Sequence, residues 1–396
     1  LIAFASVARP GMRAPAAVTA LERSLELLRG AVERAPLERR PRAGLARAQL
    51  GLAHFLDAAG ERPRARANWE EAETLSLALR REDPSDPDAL ELWVTAAGRL
   101  ATIDQLEGHL ERASERLAAM VSETEGVREP SSFLRLTRAL SVHTQARILK
   151  HEPATARDPR IDELLAKAHA ELAALASDFP RNVQNVASLL GVELDLCDRA
   201  LEAGEFAAAA ALADKGWATA NRALELAPGD PVRQRGVGLA AERLHDLERA
   251  RGDLEAAERW AQRSVDESRR AAEAGHRGAG PDCARMLREV IECQSKLGKA
   301  EEVAASAAAL AQEVTRSGEG PVVLVDAAAA LVEAARLLQR DGDGARAAQL
   351  LAEAAKHLEN AVAAQPSLAP RILAMQSHWG DPPPPELKPV LDALAR

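Results

Sequence analysis

Tyrosine is absent from this chain of 396 residues, and aromatic residues of every kind make up only 3% of it. β-Strands favour aromatic and β-branched side chains, whereas alanine, leucine, glutamate and arginine, which are abundant here, are good helix formers. Hydrophobic residues still make up 47% of the chain, which is too large a share for a disordered protein. The composition therefore predicts a packed protein that is helical from end to end.

Cysteine is also scarce, and its three positions are Cys197, Cys283 and Cys293. Three cysteines in apolar surroundings suit neither a disulfide framework nor a structural zinc site, so we expect small buried residues. The histidines do not complete a metal site, because no carboxylate-rich helix accompanies the pair His143 and His151. We predict no metal and no cofactor.

Motifs of catalysis are missing as well. The chain has no phosphate-binding loop, zinc-protease helix motif or nucleophile elbow. The glycines from Gly275 to Gly280 follow no predicted strand, so we interpret them as a loop between repeats. The net charge of −9 is spread along helical faces without a basic block, which argues against nucleic-acid binding. The sequence predicts a protein that is not an enzyme and does not bind nucleic acid.

The first residues are the one candidate for contact with a membrane. Residues 1–8 are mostly apolar, and Arg9 and Arg13 follow them. This run is too short to span a bilayer, which needs about 20 apolar residues. Two interpretations of residues 1–15 stay open: the remnant of a membrane span or signal segment, and a frayed start.

A repeat runs through the rest of the chain. Glycines that interrupt helical patterns stand at Gly60, Gly108, Gly204, Gly252, Gly298 and Gly342. Their spacing is about 48 residues, and the single double step contains a loop at residues 151–159. Five residues after each glycine is a small side chain, at Ala65, Ala113, Ala209, Ala257, Val303 and Ala347. Self-similarity at a fixed period is the signature of a repeat architecture.

Prolines mark a second point in the same period, at Pro84, Pro130, Pro180, Pro228, Pro281, Pro321 and Pro366. Because proline cannot continue a helix, we place a turn between helix pairs at each proline and a turn within each pair at each glycine. The prediction is an all-α solenoid of about seven antiparallel helix pairs over residues 16–366, which includes a leading helix at residues 16–34. Residues 367–396, with Trp379 and a proline run, are predicted to cap the stack.

The segment Gly252-Asp253-Leu254-Glu255-Ala256-Ala257-Glu258-Arg259-Trp260 resembles the second half of a tetratricopeptide repeat. Gly108 to Ala113 and Gly204 to Ala209 are similar, and the resemblance covers about residues 43–366. The period is longer than the usual 34 residues of that family. Stretched repeats of this kind resemble the arms attached to bacterial serine/threonine kinases and other signalling proteins.

The resemblance implies a superhelix with a concave groove that the first helix of each pair lines. Carried onto this sequence, it implies groove residues at His54, Asp57, Arg99, Gln105, His143, Arg147, Asp198, Arg243, Asp246, Arg249, Arg285, Arg288 and Glu292. Four of these arginines (Arg243, Arg249, Arg285 and Arg288) would suit an acidic peptide, since guanidinium groups bind carboxylates in a bidentate manner. In the alternative, they pair with nearby carboxylates on a solvated face.

The leading functional hypothesis is a non-catalytic scaffold that binds a partner peptide or helix in this groove. The alternative is a C-terminal regulatory arm of a larger bacterial enzyme, most naturally a serine/threonine kinase. A third hypothesis is an exported bacterial array. We expect a cytoplasmic location, with membrane tethering only through a segment near or before Leu1. The sequence predicts neither the partner's identity nor the oligomeric state.

Overall fold

The computed structural model describes residues 14–152, 155, 158–314, 316–379 and 382–395. The chain divides into two compact units, residues 1–178 and residues 179–396. The interpretations of residues 1–15 concern a segment that lies almost wholly outside the described residues, and they stay predictions. Within the described part of the chain, no helix is both long enough and apolar enough to cross a membrane.

The first unit consists of helices joined by short turns. In chain order they are α1 (Ala14–Arg34), α2 (Arg39–Ala58), α3 (Arg62–Glu82), α4 (Pro87–Leu106), α5 (Leu110–Glu125), α6 (Ser132–His151) and α7 (Arg160–Asp178). After α1, the helices form three antiparallel pairs, α2/α3, α4/α5 and α6/α7, and each helix packs along the next.

The second unit has the same construction. Its pairs are formed by α8 (Val183–Glu202), α9 (Phe206–Leu226), α10 (Pro231–Arg251), α11 (Leu254–Glu273), α12 (Ala279–Lys296), α13 (Ala300–Gln312), α14 (Val322–Arg340) and α15 (Gly344–Ala364). A 3₁₀ turn and three short helices follow: Pro366–Leu368, α16 (Ala369–Ala374), α17 (Gln376–Trp379) and α18 (Lys388–Leu394). The described residues thus contain seven helix pairs, and the predicted all-α class and pair number are confirmed.

The six marker glycines lie inside six of the seven pairs, and each adopts a positive φ, between 73° and 88°. At Gly252, for example, the N–H of the next residue, Asp253, donates to the carbonyl of Glu248 at 3.0 Å. A bond of this type, from residue i to residue i−5, recurs at the other five glycines over 2.7–2.9 Å. It satisfies a carbonyl that the helix end would otherwise leave unpaired. The glycines therefore end the first helix of six of the seven pairs in the predicted place.

Four of the six turns between pairs carry a side-chain helix cap, at Asp86, Ser131, Asn182 and Asp230. The carboxylate of Asp86 accepts a hydrogen bond from the backbone of Asp88 at 2.9 Å, and Pro87 is the first residue of α4. Asp230 caps α10 in the same way, with a bond of 2.8 Å to the N–H of Val232. A proline at the first helical position costs no hydrogen bond there. The Asp-Pro pair therefore starts the first helix of a new pair.

The core of each unit forms where paired helices approach most closely. Every small side chain five residues after a marker glycine has an exposed fraction of 0%. Eight residues before the glycine, Leu52, Leu100, Leu244, Val290 and Ala334 are buried as well. Leu196 is only half-buried, whereas the next residue, Cys197, is fully buried, as is His245 at the equivalent position of α10. The close contact at Ala209 is kept despite this difference.

The C-terminal segment covers the last helix pair. Trp379 is 2% exposed, and its indole N–H donates to the carbonyl of Ile372 at 2.6 Å. Leu387 and Leu391 join the same apolar cluster, which includes Leu350 and Leu358 of α15. Terminal repeats need such a cover, since the last pair has no neighbour to bury its apolar face.

Replacing Gly252 by alanine should destabilise the second unit by about 1–2 kcal/mol, because an L-residue is strained at a φ of 84°. No atom lies within 4 Å of the added methyl group, so steric overlap would not contribute. Gly30→Ala in the interior of α1 is the matched control and should instead stabilise by up to about 1 kcal/mol. Urea unfolding of both variants would measure the two effects, and equal signs would contradict the assignment of the turn.

Replacing Ala113 by tryptophan should destabilise the first unit by about 1–3 kcal/mol or more, because the site has no room for a larger side chain. Ala119 lies on the exposed face of the same helix, α5. Ala119→Trp should change the free energy of unfolding by less than about 0.5 kcal/mol. Thermal melts that show the same loss in both variants would mean that Ala113 is not at a close contact.

Candidate partner-binding site

All thirteen residues of the predicted groove lie on first helices of the pairs. In the first unit, α2 carries His54 and Asp57, α4 carries Arg99 and Gln105, and α6 carries His143 and Arg147. These six residues lie in the C-terminal halves of their helices and do not share one environment. His54, Arg99 and Arg147 are exposed, whereas His143 is 7% exposed.

Successive first helices contact one another directly in both units. Such contacts join α2 to α4 and α4 to α6 in the first unit, and α8 to α10 and α12 to α14 in the second. Side chains from different pairs are therefore brought onto one surface. We call this the first-helix surface of each unit.

Arg243 of α10 is the most heavily paired of the predicted residues. It forms ion pairs with Asp198 of α8 at 2.5 Å and with Glu242 at 2.8 Å, and Asp246 lies 4.0 Å away. Burial alone would lower the pKa of Arg243, but the three carboxylates outweigh burial and raise it. The guanidinium is therefore fixed as a cation between α8 and α10.

Further pairs extend this arrangement to α12 and α14. Arg285 donates to Glu242 at 2.8 Å, which joins α12 to α10. Arg288 pairs with Asp326 of α14 at 2.9 Å and also with Glu319. We call this set the ion-pair ladder; its members are Asp198, Glu242, Arg243, Arg285, Arg288, Glu319 and Asp326.

A buried histidine lies beside the ladder. His245 is 0% exposed, and its Nδ1–H donates to the carbonyl of Ala257 at 2.9 Å. Its Nε2 faces Glu289 of α12 at 3.3 Å, and the same carboxylate accepts from Arg249 at 2.7 Å. Burial would lower the pKa of His245, but Glu289, the carbonyl of Ala257 and nearby Asp246 outweigh burial and raise it.

The remaining predicted residue, Glu292, is exposed and pairs with Lys296 at 2.6 Å.

Each arginine of the predicted patch already has a carboxylate partner. Sequence reasoning missed four of these partners, namely Glu242, Glu289, Glu319 and Asp326. One signal was available, since Glu242 precedes Arg243 and Glu289 follows Arg288 in the same helices. Adjacent residues on a helix point in directions about 100° apart, so the two charges of each pair can reach different neighbouring helices.

One group in the described residues has the spacing of a metal site: Asp104, Glu107 and His109. Its buried member, Asp104, is already contacted by Arg66 at 2.7 Å, Arg112 at 2.5 Å and Arg116 at 3.2 Å. Burial would raise the pKa of Asp104, but Arg112 and Arg66 outweigh burial and lower it. The guanidinium groups occupy the positions that a cation would need, so the group serves to join α3, α4 and α5.

The cysteines are buried, as predicted. Burial raises the pKa of the Cys197 thiol to about 11, and that of Cys283 to about 12. Both thiols are protonated at neutral pH, which is the unreactive form of cysteine. The cysteines are buried where helices pack together, so they serve as small core residues.

No protein-family profile matches the chain, and no curated protein matches its sequence. Similar solved structures include the nuclear import adaptor Nro1 of S. pombe, with 14% identity, a TM-score of 0.47, and coverage of 79% of this chain and 99% of that one. A tetratricopeptide repeat protein of Parabacteroides merdae shows 14% identity and a TM-score of 0.37, and covers 81% and 93% of the two chains. For a tetratricopeptide repeat protein of Thermus thermophilus, the values are 20%, 0.32, 58% and 98%. With identities and TM-scores this low, the fold assignment rests on the helix pairs themselves.

His245 should make the stability of the second unit depend on pH. Since its folded pKa is raised above the usual value of about 6.5, its stabilising effect is complete below that value and is lost as the pH rises through the folded pKa. As the pH rises above about 6.5, wild type should therefore lose more melting temperature than His245→Gln. His54→Gln, at an exposed position of α2, should follow wild type. Parallel curves for wild type and His245→Gln would contradict a charged histidine.

Proposed function

We propose that this chain is a non-catalytic scaffold whose first-helix surfaces bind a segment of a partner protein. The observation that carries the proposal is the direct contact between successive first helices, because it lines up side chains from several repeats. A segment that lies along such a surface can contact three or four helices at once. The binding would rest on surface complementarity, and no covalent bond would form or break.

The repeat construction favours such a role for an energetic reason. Six of the seven first helices end at a capping glycine and the contacts between helices are closely packed, so the surface is formed before a partner arrives. A preformed surface loses little conformational entropy on binding, which leaves more of the contact free energy for affinity. Most of the conformational entropy lost on binding would be lost by the partner segment.

The prediction of an acidic partner has a cost, because the arginines of the predicted patch pair with nearby carboxylates. An acidic segment at Arg243, Arg285 or Arg288 would have to displace Glu242 or Asp326 from pairs already formed. Truncating or displacing one member of a partly buried ion pair leaves the other charge without its partner. The acidic partner stays a prediction, as do the kinase-linked arm and the cytoplasmic location.

Site-specific photo-crosslinking in cells of the source organism would test the scaffold proposal. A benzophenone amino acid is placed at Arg99 of α4 or Glu292 of α12, both exposed on first helices. Matched controls carry it at Glu115 of α5 or Arg259 of α11, which are exposed on second helices. We expect the same partner protein to be cross-linked from a first-helix position and not from the second helix of that unit. Adducts from the second-helix positions alone would overturn the proposal.

A further inference from the structure

A pocket of about 270 Å³ opens on the first-helix surface of the first unit, at the opposite end of the helices from the predicted residues. It is lined by Arg47, Asp88, Glu91, Leu92, Thr95 and Phe133. These side chains come from α2, α4 and α6, the first helices of three successive pairs. The pocket therefore depends on the repeat stack and not on one helix alone.

Phe133 gives the pocket an apolar wall. It is the second residue of α6, and 41% of it is exposed, although the chain has only five phenylalanines. Leu92 of α4 forms an apolar floor and is 7% exposed. An aromatic ring beside a recessed leucine can accept an apolar side chain of a partner, and aromatic anchors of this kind contribute much of the free energy at protein interfaces.

The rest of the lining is acidic. Arg47 and Asp88 form an ion pair at 2.7 Å, so their charges compensate each other. Glu91 accepts a hydrogen bond from the hydroxyl of Ser131 at 2.7 Å, and among the described residues no cation pairs with it. One arginine and two carboxylates leave the lining with a net charge of −1.

We propose that this pocket binds a partner segment in which an apolar side chain, leucine or aromatic, stands next to a lysine or arginine. The apolar side chain would pack between Phe133 and Leu92, and the cation would pair with Glu91. The inference rests on the scaffold function proposed above and names the chemistry of the partner for the first unit.

An acidic segment does not suit this site. The positive ends of α4 and α6 lie near the pocket, but their first N–H groups are already bonded to Asp86 and Ser131. A carboxylate placed there would face Glu91 and Asp88 without a cation to balance it, since Arg47 is already paired. Like charges at such a surface disfavour association and suppress wrong partners.

The experiment is a selection of short random-sequence peptides displayed on phage against the full chain, followed by binding measurements with the synthetic enriched peptide. Phe133→Ala and Glu91→Lys are compared with wild type. Phe206→Ala is the control for loss of an exposed phenylalanine, since Phe206 is 40% exposed on α9. Glu115→Lys on α5 gives the same change in net charge as Glu91→Lys.

We expect enriched peptides with adjacent apolar and basic residues, and a weakening of about tenfold or more in Phe133→Ala and Glu91→Lys but not in the controls. Thermal melts verify that the variants fold, and Glu91→Gln separates loss of charge from reversal of charge. Acidic consensus peptides, equal weakening in the controls, or the lack of any enriched peptide would overturn the inference. None of these results touches the scaffold proposal, because the cross-linking positions decide that separately.

Discussion

Two helices of this protein can pack at close range only where a small side chain faces the neighbouring backbone. That requirement is met five residues after each marker glycine, at positions such as Ala113 and Ala257, which are fully buried. The left-handed glycine sets the direction in which the second helix departs, and the small residue fixes how near it comes. The contact between successive first helices, and the surface that they form, depend on this close packing.

The fold was predictable because its determinants are local. A glycine that ends a helix, an alanine at a fixed distance and a proline that starts the next pair can all be recognised in a linear sequence. The prediction was less accurate for how deeply a given side chain is buried. Leu196 stands at the predicted apolar position but is only half-buried, whereas Cys197 faces α9, with its thiol 3.5 Å from the carbonyl of Ala209. The spacing of turns does not indicate which of two adjacent residues is more deeply buried.

The candidate site was predictable only in part, for a related reason. The sequence indicates which helices line the surface, and it marks Arg243 and Arg285 as charged. It does not indicate that both reach Glu242, because Glu242 lies on another pair from Arg285, 43 residues away. Phe133 was missed because an apolar residue at the start of a helix normally suggests a buried position. Its exposure follows from the geometry of three neighbouring helices.

The ion-pair ladder also sets a limit on how the repeats can be rearranged. Their backbones follow one plan, so a deletion or duplication of a whole pair would preserve the turns and the close contacts. The charges do not repeat in the same way: Asp198 matches Arg243, and Arg288 matches Asp326, each across one particular junction. Removing α10 and α11 would remove Arg243 and Glu242, so Asp198 and Arg285 would lose these ion-pair partners. The repeats are thus alike in backbone shape but differ in their charges. These ion pairs form only when the helix pairs follow one another in the native order.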